Sequence, residues 1–169
     1  MLETERLIIM PLSPEELSIY LQAGGKLEMI LGLANTGRIV SPEVRSMVEQ
    51  FTIPKMKEVI KEEWLFITFW IVVEKLSKMI VAELGFKGAP NSRGFIEIGY
   101  GTMPSERNKG YMTEAVSALV NWAKTQHQVR GVTAETNETN LGSIRVVEKN
   151  NFRRYGRKDK MILWKISFL

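Results

Sequence analysis

The stretch "ERNKGYMTEA", residues 106–115, joins a short charged loop to the start of an amphipathic helix. Gly110, the only glycine of the loop, lets the backbone approach a ligand with no Cβ in the way. The first turn of any helix offers unpaired N–H groups and partial positive charge, and Arg107 and Lys109 add charge beside it. The loop therefore fits a phosphate cradle, but it fits a plain strand-to-helix turn with solvated charges equally well.

The elements around this loop can be predicted from the spacing of apolar residues. Three strands are expected before it, at 64–74, 79–86 and 95–103, and the first contains the apolar run "WLFITFWIVV". The β-branched and aromatic residues of that run indicate a buried strand. After the loop, apolar residues recur at i, i+3, i+4, i+7 and i+8, which predicts a helix with one buried face: Ala115, Ala118, Leu119, Trp122 and Ala123.

The N-terminal third combines a strand with two helical regions. "ERLIIMPL", residues 5–12, is expected to be the first strand, and Ser-Pro-Glu sequences at positions 13 and 41 have the N-cap, proline and acid of helix starts. The second helical region is predicted to run to about Glu62, with Pro54 dividing it into two pieces.

The C-terminal segments complete the predicted order β-α-α-β-β-β-α-β-α-β. "GVTAET" and "MILWKISFL" are expected strands, "LGSIRVVEKN" is a short helix between them, and one more strand is expected around 152–156. The order describes a mixed α/β sheet with helices on both faces, not a regular βαβ alternation.

Composition excludes several classes of site. The 169 residues fit one domain, and the absence of cysteine excludes disulfides, thiolate metal sites and cysteine nucleophiles. The single histidine, His127, excludes a multi-histidine metal site, so no metal is expected. The net charge of +4 favours an anionic ligand without requiring nucleic acid. The N-terminus has acids where a signal peptide has bases, and no apolar run is long enough to span a bilayer, so a cytoplasmic protein with no membrane partner is expected.

Nucleotide-binding motifs of other types do not fit the loop. A P-loop places its lysine after the second glycine, whereas Lys109 precedes the loop's only glycine. A dinucleotide fingerprint needs three glycines, and Pro104 stands where the third would follow Gly99 and Gly101.

Four segments, in order, resemble the GNAT N-acetyltransferases and cover nearly the whole chain. "RNKGYMTEA" resembles the family's motif A, Arg/Gln-x-x-Gly-x-Gly/Ala, and "IEIGYGTMP" resembles the strand before it. "NLGSIRVVEKNNF" resembles a downstream Asn-x-x-Ser segment, and "ETERLIIMPL" resembles the N-terminal strand of the RimJ/RimL-like subgroup. Two positions depart from the pattern: Met112 replaces glycine or alanine, and Asn151 replaces the glycine before Phe152.

The resemblance implies one acetyltransferase domain over residues 1–169, with a mostly antiparallel, splayed sheet of six to seven strands flanked by about four helices. It implies that acetyl-CoA is the cosubstrate and that an amine is the acceptor. By analogy with the family, a homodimer is one possible oligomeric state. The pyrophosphate would bind the loop, and the pantetheine would add strand-like bonds to residues 99–103. The implied acetyl-CoA-binding residues are Met103, Arg107, Asn108, Lys109, Gly110, Tyr111, Met112, Thr113, Asn140 and Ser143.

The chemistry requires a neutral amine, so a general base would help. Alternation along "GFIEIGY" places Glu97 with Phe95 and apart from Ile96 and Ile98, which makes Glu97 the first candidate, or else a surface or salt-bridged glutamate. Glu135 is the second candidate. The tyrosine with which many family members protonate the leaving thiolate falls at Val147 here. Ser143 could pass a proton in its place, although it is a weak acid, and Tyr111 and Tyr155 are near in sequence only.

Three functions therefore compete at the level of sequence. The first is an acetyl-CoA-dependent N-acetyltransferase acting in a ternary complex on a protein N-terminus or a small amine. The second is a non-catalytic acyl-CoA-binding regulatory module, which the missing tyrosine favours. The third is a nucleic-acid-binding domain, but the basic residues of 153–160 lack the wider patch and organised aromatic stacking that this function needs.

Overall fold

The computed structural model describes residues 1–168, which form eight strands and six α-helices. The strands are β1 (Leu2–Glu3), β2 (Leu7–Pro11), β3 (Trp70–Glu74), β4 (Ile80–Phe86), β5 (Phe95–Thr102), β6 (Gly131–Asn137), β7 (Arg153–Lys158) and β8 (Met161–Ser167). The helices are α1 (Pro14–Tyr20), α2 (Lys26–Leu31), α3 (Pro42–Met47), α4 (Ile53–Glu58), α5 (Tyr111–Lys124) and α6 (Leu141–Lys149). No helix within this part of the chain is both long and apolar enough to cross a membrane.

All eight strands form one sheet in the order β1-β2-β3-β4-β5-β6-β8-β7. Only β5 and β6 are parallel, and every other neighbouring pair is antiparallel. The predicted mixed, mostly antiparallel sheet is confirmed, with slightly more elements than expected. The additional elements include the two-residue strand β1 and the six-residue helix α2, which are too short to give a periodic signal.

Helices cover both faces of the sheet, as predicted. On one face α5 buries Ala115, Leu119 and Ala123 completely in a core that also contains Ile98 of β5. On the other face, residues of α1, α2 and α4 form a second core with strand β3. Strands β4 and β5 lie between the two layers, so their successive side chains point alternately into one layer or the other.

The helical region that contains Pro54 is not broken in two. Between α3 and α4 the backbone forms a π-helical turn, Val48–Thr52, in which the N–H of Ile53 donates to the carbonyl of Val48. Proline has no N–H to continue the i→i−4 ladder, and a wider turn just before Pro54 accommodates this loss. Helix α4 then ends at Glu58, short of the predicted Glu62.

The strand predicted from Trp64 begins six residues later than expected. Residues Lys61–Phe66 form a 3₁₀ helix, and only Trp70–Glu74 are extended. The indole N–H of Trp64 donates to the carbonyl of Met56 at 2.7 Å, which fastens this helix to α4. A continuous apolar run has no periodicity to separate helix from strand, so the prediction here was wrong for a reason inherent in the pattern.

Gly85 on β4 marks a close approach between two backbone segments. A Cβ added at this position would lie 2.6 Å from the carbonyl oxygen of Thr68, inside any normal contact distance. Gly101, directly across the ladder from Glu83 on the same face, has no atom within 4 Å of its added Cβ. The two glycines therefore serve different purposes, one to fit the backbone and one to leave space.

We expect Gly85→Ala to lower the free energy of unfolding by about 1–3 kcal/mol, because the Thr68 backbone must move. Gly101→Ala is the matched control and should change it by less than about 1 kcal/mol. Urea unfolding followed by circular dichroism measures both. Equal effects of the two substitutions would contradict the different roles given to Gly85, which fits against the Thr68 backbone, and Gly101, which leaves open space.

Candidate active site

A wedge-shaped cleft separates β5 from β6. Their parallel ladder ends at the pair Ile98 and Ala134, although β5 continues to Thr102 and β6 to Asn137. Beyond that pair each strand stays hydrogen-bonded to its outer neighbour, β4 or β8. The sheet is therefore split at one end, and the facing edges of β5 and β6 form the walls of the cleft.

Alternate residues of β5 direct their backbone groups into this cleft. The N–H of Met103, just after β5, donates to the carbonyl of Val81 at 3.0 Å and so points toward β4. Neighbouring residues of a strand point to opposite sides, which directs the groups of Tyr100 and Thr102 toward the cleft. The N–H of Met103, one of the residues implied to bind acetyl-CoA, is thus already used by the sheet.

The loop of residues 103–110 lies at the open end of the cleft and leads into α5. Asn108 and Gly110 have positive φ angles of 62° and 81°, so the backbone turns twice through the left-handed region. Helix α5 follows at once, and its first N–H groups, at Tyr111, Met112 and Thr113, have no partner in the helical ladder. The structure therefore brings the predicted loop residues together at a helix N-terminus suited to an anion.

The side chains of this loop differ in what they offer. Met112 is 5% exposed and packs in the core beneath α5, so it does not crowd the loop. Lys109 donates to Glu106 at 2.8 Å, and this bond lowers the pKa of the Glu106 carboxyl. The charge of Lys109 is therefore partly balanced, and the exposed Arg107 carries more of the predicted positive charge.

Arg6, which precedes β2, braces the loop from behind. Its Nη1 donates to the carbonyl of Lys109 at 3.0 Å, and its Nε donates to the carboxylate of Glu114 on α5 at 2.7 Å. The guanidinium also lies 4.9 Å from the centre of the Tyr111 ring. The N-terminal segment thereby fixes the loop relative to the first turn of α5.

Two hydroxyl groups meet beside the cleft, between β5 and α6. The Ser143 Oγ donates to the Tyr100 hydroxyl at 3.0 Å, and that hydroxyl donates to the Ser143 carbonyl at 3.1 Å. Burial raises the pKa of Tyr100, so it is protonated at neutral pH. The side chain of Asn140 accepts from the Ser143 N–H at 3.0 Å and acts as the N-cap of α6. Val147 is completely buried and faces no ligand.

A groove of about 890 Å³ lies on the other face of β4 and β5. Its floor is almost bare, because Gly99 and Gly101 occupy positions whose side chains would point into it, whereas Gly85 lies against the Thr68 carbonyl. Apolar side chains from α3, the π-helical turn and the segment up to β3 line the rest: Val44, Met47, Phe51, Val59, Ile67 and Phe69.

Glu83 is the acid on the floor of this groove. It lies opposite Gly101 in the β4–β5 ladder, and its Oε2 accepts a hydrogen bond from the hydroxyl of Tyr20 on α1. Burial raises the pKa of Glu83, although the Tyr20 bond and the charge of Arg38 act in the opposite direction. Burial also raises the pKa of Tyr20, so the phenol keeps its proton and remains the donor.

Glu97 and Glu135, the acids singled out from sequence, occupy more exposed positions. Glu97 does lie on the face opposite Ile96 and Ile98, as alternation predicts, but it forms an ion pair with Lys87, and its side chain is 33% exposed. Glu135 on β6 is exposed. Within residues 1–168, no cluster of three or more His, Asp or Glu side chains could hold a metal ion.

Sequence reasoning missed Glu83, Tyr20 and Tyr100. A single glutamate in an apolar strand was the one available signal for Glu83, since buried acids are rare without a partner. Nothing local connects Glu83 to Tyr20, or Tyr100 to Ser143, because each pair is joined only by folding.

Known proteins that resemble this chain identify the family to which it belongs. The family model described as the acetyltransferase (GNAT) domain matches residues 6–153. The chain belongs to the GNAT acetyltransferase family. The uncharacterized N-acetyltransferase YjdG of Bacillus subtilis (strain 168) is 45% identical over 83 residues, which are 49% of each protein. The chain thus matches about half the length of this curated relative.

Solved structures with a similar fold cover almost the whole chain. The ribosomal-protein-S5-alanine acetyltransferase from Vibrio fischeri has a TM-score of 0.70 and 15% identity, and covers 98% of this chain and 94% of its own. RimL, a ribosomal L7/L12 α-N-protein acetyltransferase in complex with coenzyme A, has a TM-score of 0.69 and 14% identity, with coverage of 98% and 96%. At sequence identities this low, the similarity of these structures shows a shared fold and nothing more specific.

The raised pKa of Glu83 predicts how Glu83→Gln changes stability with pH. Below the ordinary pKa of 4.5 the carboxyl is neutral in both the folded and the unfolded chain, so its burial does not lower the free energy of unfolding through its charge. As pH rises from there to the folded pKa, the unfolded chain loses its proton first, and the wild type loses stability. The free energy of unfolding of Glu83→Gln relative to wild type should therefore increase between pH 4 and pH 8.

Chemical denaturation at several pH values measures this difference. Glu97→Gln is the control, because removing an exposed ion pair should lower stability at pH 8 by less than about 1 kcal/mol. If the difference in free energy of unfolding between Glu83→Gln and wild type is constant or decreases with pH, burial is not the main influence on the pKa of Glu83.

Proposed function

We propose that this protein is an acetyl-CoA-dependent N-acetyltransferase that transfers the acetyl group to a primary amine, on a protein N-terminus or a small molecule, within a ternary complex. The observation that carries the proposal is the stretch of β5 at residues 99–102, which pairs with β4 on one edge and has no strand partner on the edge toward β6. This stretch borders the cleft with its edge and the groove with its face. One strand can therefore hold the donor and present it to an acceptor.

The residues around the cleft fit acetyl-CoA, which supplies an acetyl group activated as a thioester. The N–H groups of Tyr111, Met112 and Thr113 would bind the pyrophosphate, with Gly110 allowing close approach. The backbone groups of Tyr100 and Thr102 would bind the pantetheine arm as a neighbouring strand does. Asn140 and Ser143 border the same cleft from α6.

Glu83 is the best-placed general base, and Glu97 is the second candidate. Glu83 faces the groove opposite Gly101, in the part of β5 that borders the cleft, whereas Glu97 precedes the cleft and is paired with Lys87. A carboxylate with a raised pKa takes a proton more readily from an incoming ammonium group. The amine nitrogen then forms its bond to the acetyl carbon as the carbon–sulfur bond breaks.

The hydroxyl pair Ser143–Tyr100 replaces the tyrosine that the family resemblance implies at Val147. The Ser143 hydroxyl, which donates to Tyr100 at 3.0 Å in the free protein, turns to donate its proton to the departing sulfur. The Tyr100 hydroxyl turns from the Ser143 carbonyl to return a proton to the Ser143 oxygen, and solvent then returns a proton to Tyr100. Overall, the ammonium group loses two protons as it becomes an amide. One equals the proton that the thiolate gains, and the other is released to solvent through Glu83. This pair favours a catalytic protein over a purely acyl-CoA-binding module.

The proposal is tested by incubating the protein with acetyl-CoA and a panel of amines and peptides while following free thiol. We expect amine-dependent thiol release that Glu83→Gln lowers by about 10²-fold or more, as for loss of a general base. Gly110→Ala should weaken CoA binding about tenfold, since the left-handed backbone there costs roughly 1–2 kcal/mol with a side chain.

Gly24→Ala is the matched control for that binding measurement. Gly24 has a similar φ of 86° and an open surface position, so it carries the same backbone strain far from the loop. Tight CoA binding with no turnover across the panel would instead identify a regulatory module.

Tyr100→Phe keeps the packing of the ring and removes the hydroxyl. We expect kcat to fall about tenfold, less than for a direct general acid, because a thiol of pKa near 8.5 leaves fairly well unaided. The Kd for CoA should be unchanged, and Tyr155→Phe, on exposed β7, should affect neither quantity. An unchanged kcat in Tyr100→Phe would remove Tyr100 from the mechanism.

A further inference from the structure

The groove over β4 and β5 has a charge distribution that restricts which amines it can accept. Its lining contains two acids, Glu83 and Glu63, and two bases, Lys55 and Lys87. Lys55 and Lys87 already pair with Glu58 and Glu97, and Glu63 lies on the exposed 3₁₀ helix. Glu83 is therefore the one acid on the floor of the groove.

The space beside Glu83 is apolar and large. Gly99 and Gly101 leave the floor open, and Met47 and Phe51 project from the opposite wall. Phe51 is 68% exposed and Met47 is 43% exposed, although both are large apolar side chains. An apolar group seated in the groove would remove part of this surface from water, which is favourable.

Three side chains, Tyr20, Arg38 and Glu28, contact one another in a row and hold Glu83 in place on the side away from the groove. Its Oε2 is bonded to Tyr20, which leaves Oε1 for a ligand. The guanidinium of Arg38 lies 3.8 Å from the centre of the Tyr20 ring and donates to Glu28 at 3.0 Å. The side chains of Arg38 and Glu28 are only 4% and 0% exposed, so the row is shielded from solvent.

Building on the proposed acetyltransferase function, we propose that the groove selects primary amines carrying a single positive charge next to an apolar or aromatic group, and discriminates against polyamines. Glu83 binds the ammonium group and the glycine floor and apolar wall bind the attached group. A second ammonium on a polyamine would lie against the apolar wall, because Glu63, the other acid of the lining, is exposed and not on the floor. Desolvating that ammonium without a hydrogen-bond partner is unfavourable. The same chemistry occurs in arylalkylamines and in peptides with an apolar first residue.

The test compares four acceptors: 2-phenylethylamine, a Phe-initiated tripeptide amide, a Ser-initiated tripeptide amide and spermidine. We expect kcat/KM for the better of the two aromatic acceptors to exceed that for spermidine by at least tenfold. Comparison of phenylethylamine with the Phe peptide distinguishes a small-molecule acceptor from a protein N-terminus. Equal or better use of spermidine, or of the Ser peptide over both aromatic acceptors, would overturn the proposal.

Direct titration of each amine into the protein, without acetyl-CoA, separates this inference from the proposed function. Aromatic amines should still bind more tightly than spermidine if acetyl transfer itself proves absent. Binding of all amines with equal affinity would contradict the inference even if the protein proves to be an acetyltransferase. Failure to bind CoA would count only against the proposed function.

Two substitutions localise the acceptor to the groove. Gly101→Val fills the floor beside Glu83 and should weaken aromatic-amine binding at least tenfold. Phe51→Ser should weaken it several-fold, whereas Leu76→Ser, an equally apolar and 93% exposed residue in the β3–β4 turn, should have no effect. Unchanged binding in both groove variants would place the acceptor elsewhere.

Discussion

The separation of β5 from β6 after the pair Ile98 and Ala134 is the constraint on which the candidate site depends. Two parallel strands need a crossover, and here the crossover is α5, which follows β5 after the loop of residues 103–110. The N-terminus of α5 must therefore lie at the open end of the cleft. Because β4 and β8 hold the outer edges of the two strands, the sheet can open there while most of its hydrogen bonds remain.

The alternation of side chains along β5 explains how one strand would serve the two proposed ligands. Ile96, Ile98 and Tyr100 face the α5 layer, where they build the core and place a hydroxyl beside Ser143. Gly99 and Gly101 face the opposite layer, where they leave the floor of the groove bare. A strand with large side chains on both faces would pack well, but it would leave no room for an acceptor next to the donor.

Much of the fold could be predicted from local pattern, and the failures have local causes. Helix α5 and the helix start at Ser13 follow from periodicity or from a few adjacent residues. The 3₁₀ helix Lys61–Phe66 was missed because its second half belongs to the apolar run from Trp64, which has no period that separates helix from strand. The π-helical turn was missed because Pro54 predicts a disturbance of the helix without specifying its form.

By itself the sequence determined the order of the elements, the family resemblance and the glycine loop at the start of α5, because these depend on spacing between near neighbours. The tertiary structure alone decided which acid faces the groove and which hydroxyls meet. Tyr20 reaches Glu83 across 63 residues and Tyr100 reaches Ser143 across 43, so both contacts depend on strand register and helix packing. Neither property is encoded in any short stretch, since a one-residue shift in register would turn the side chains of that strand to the opposite face.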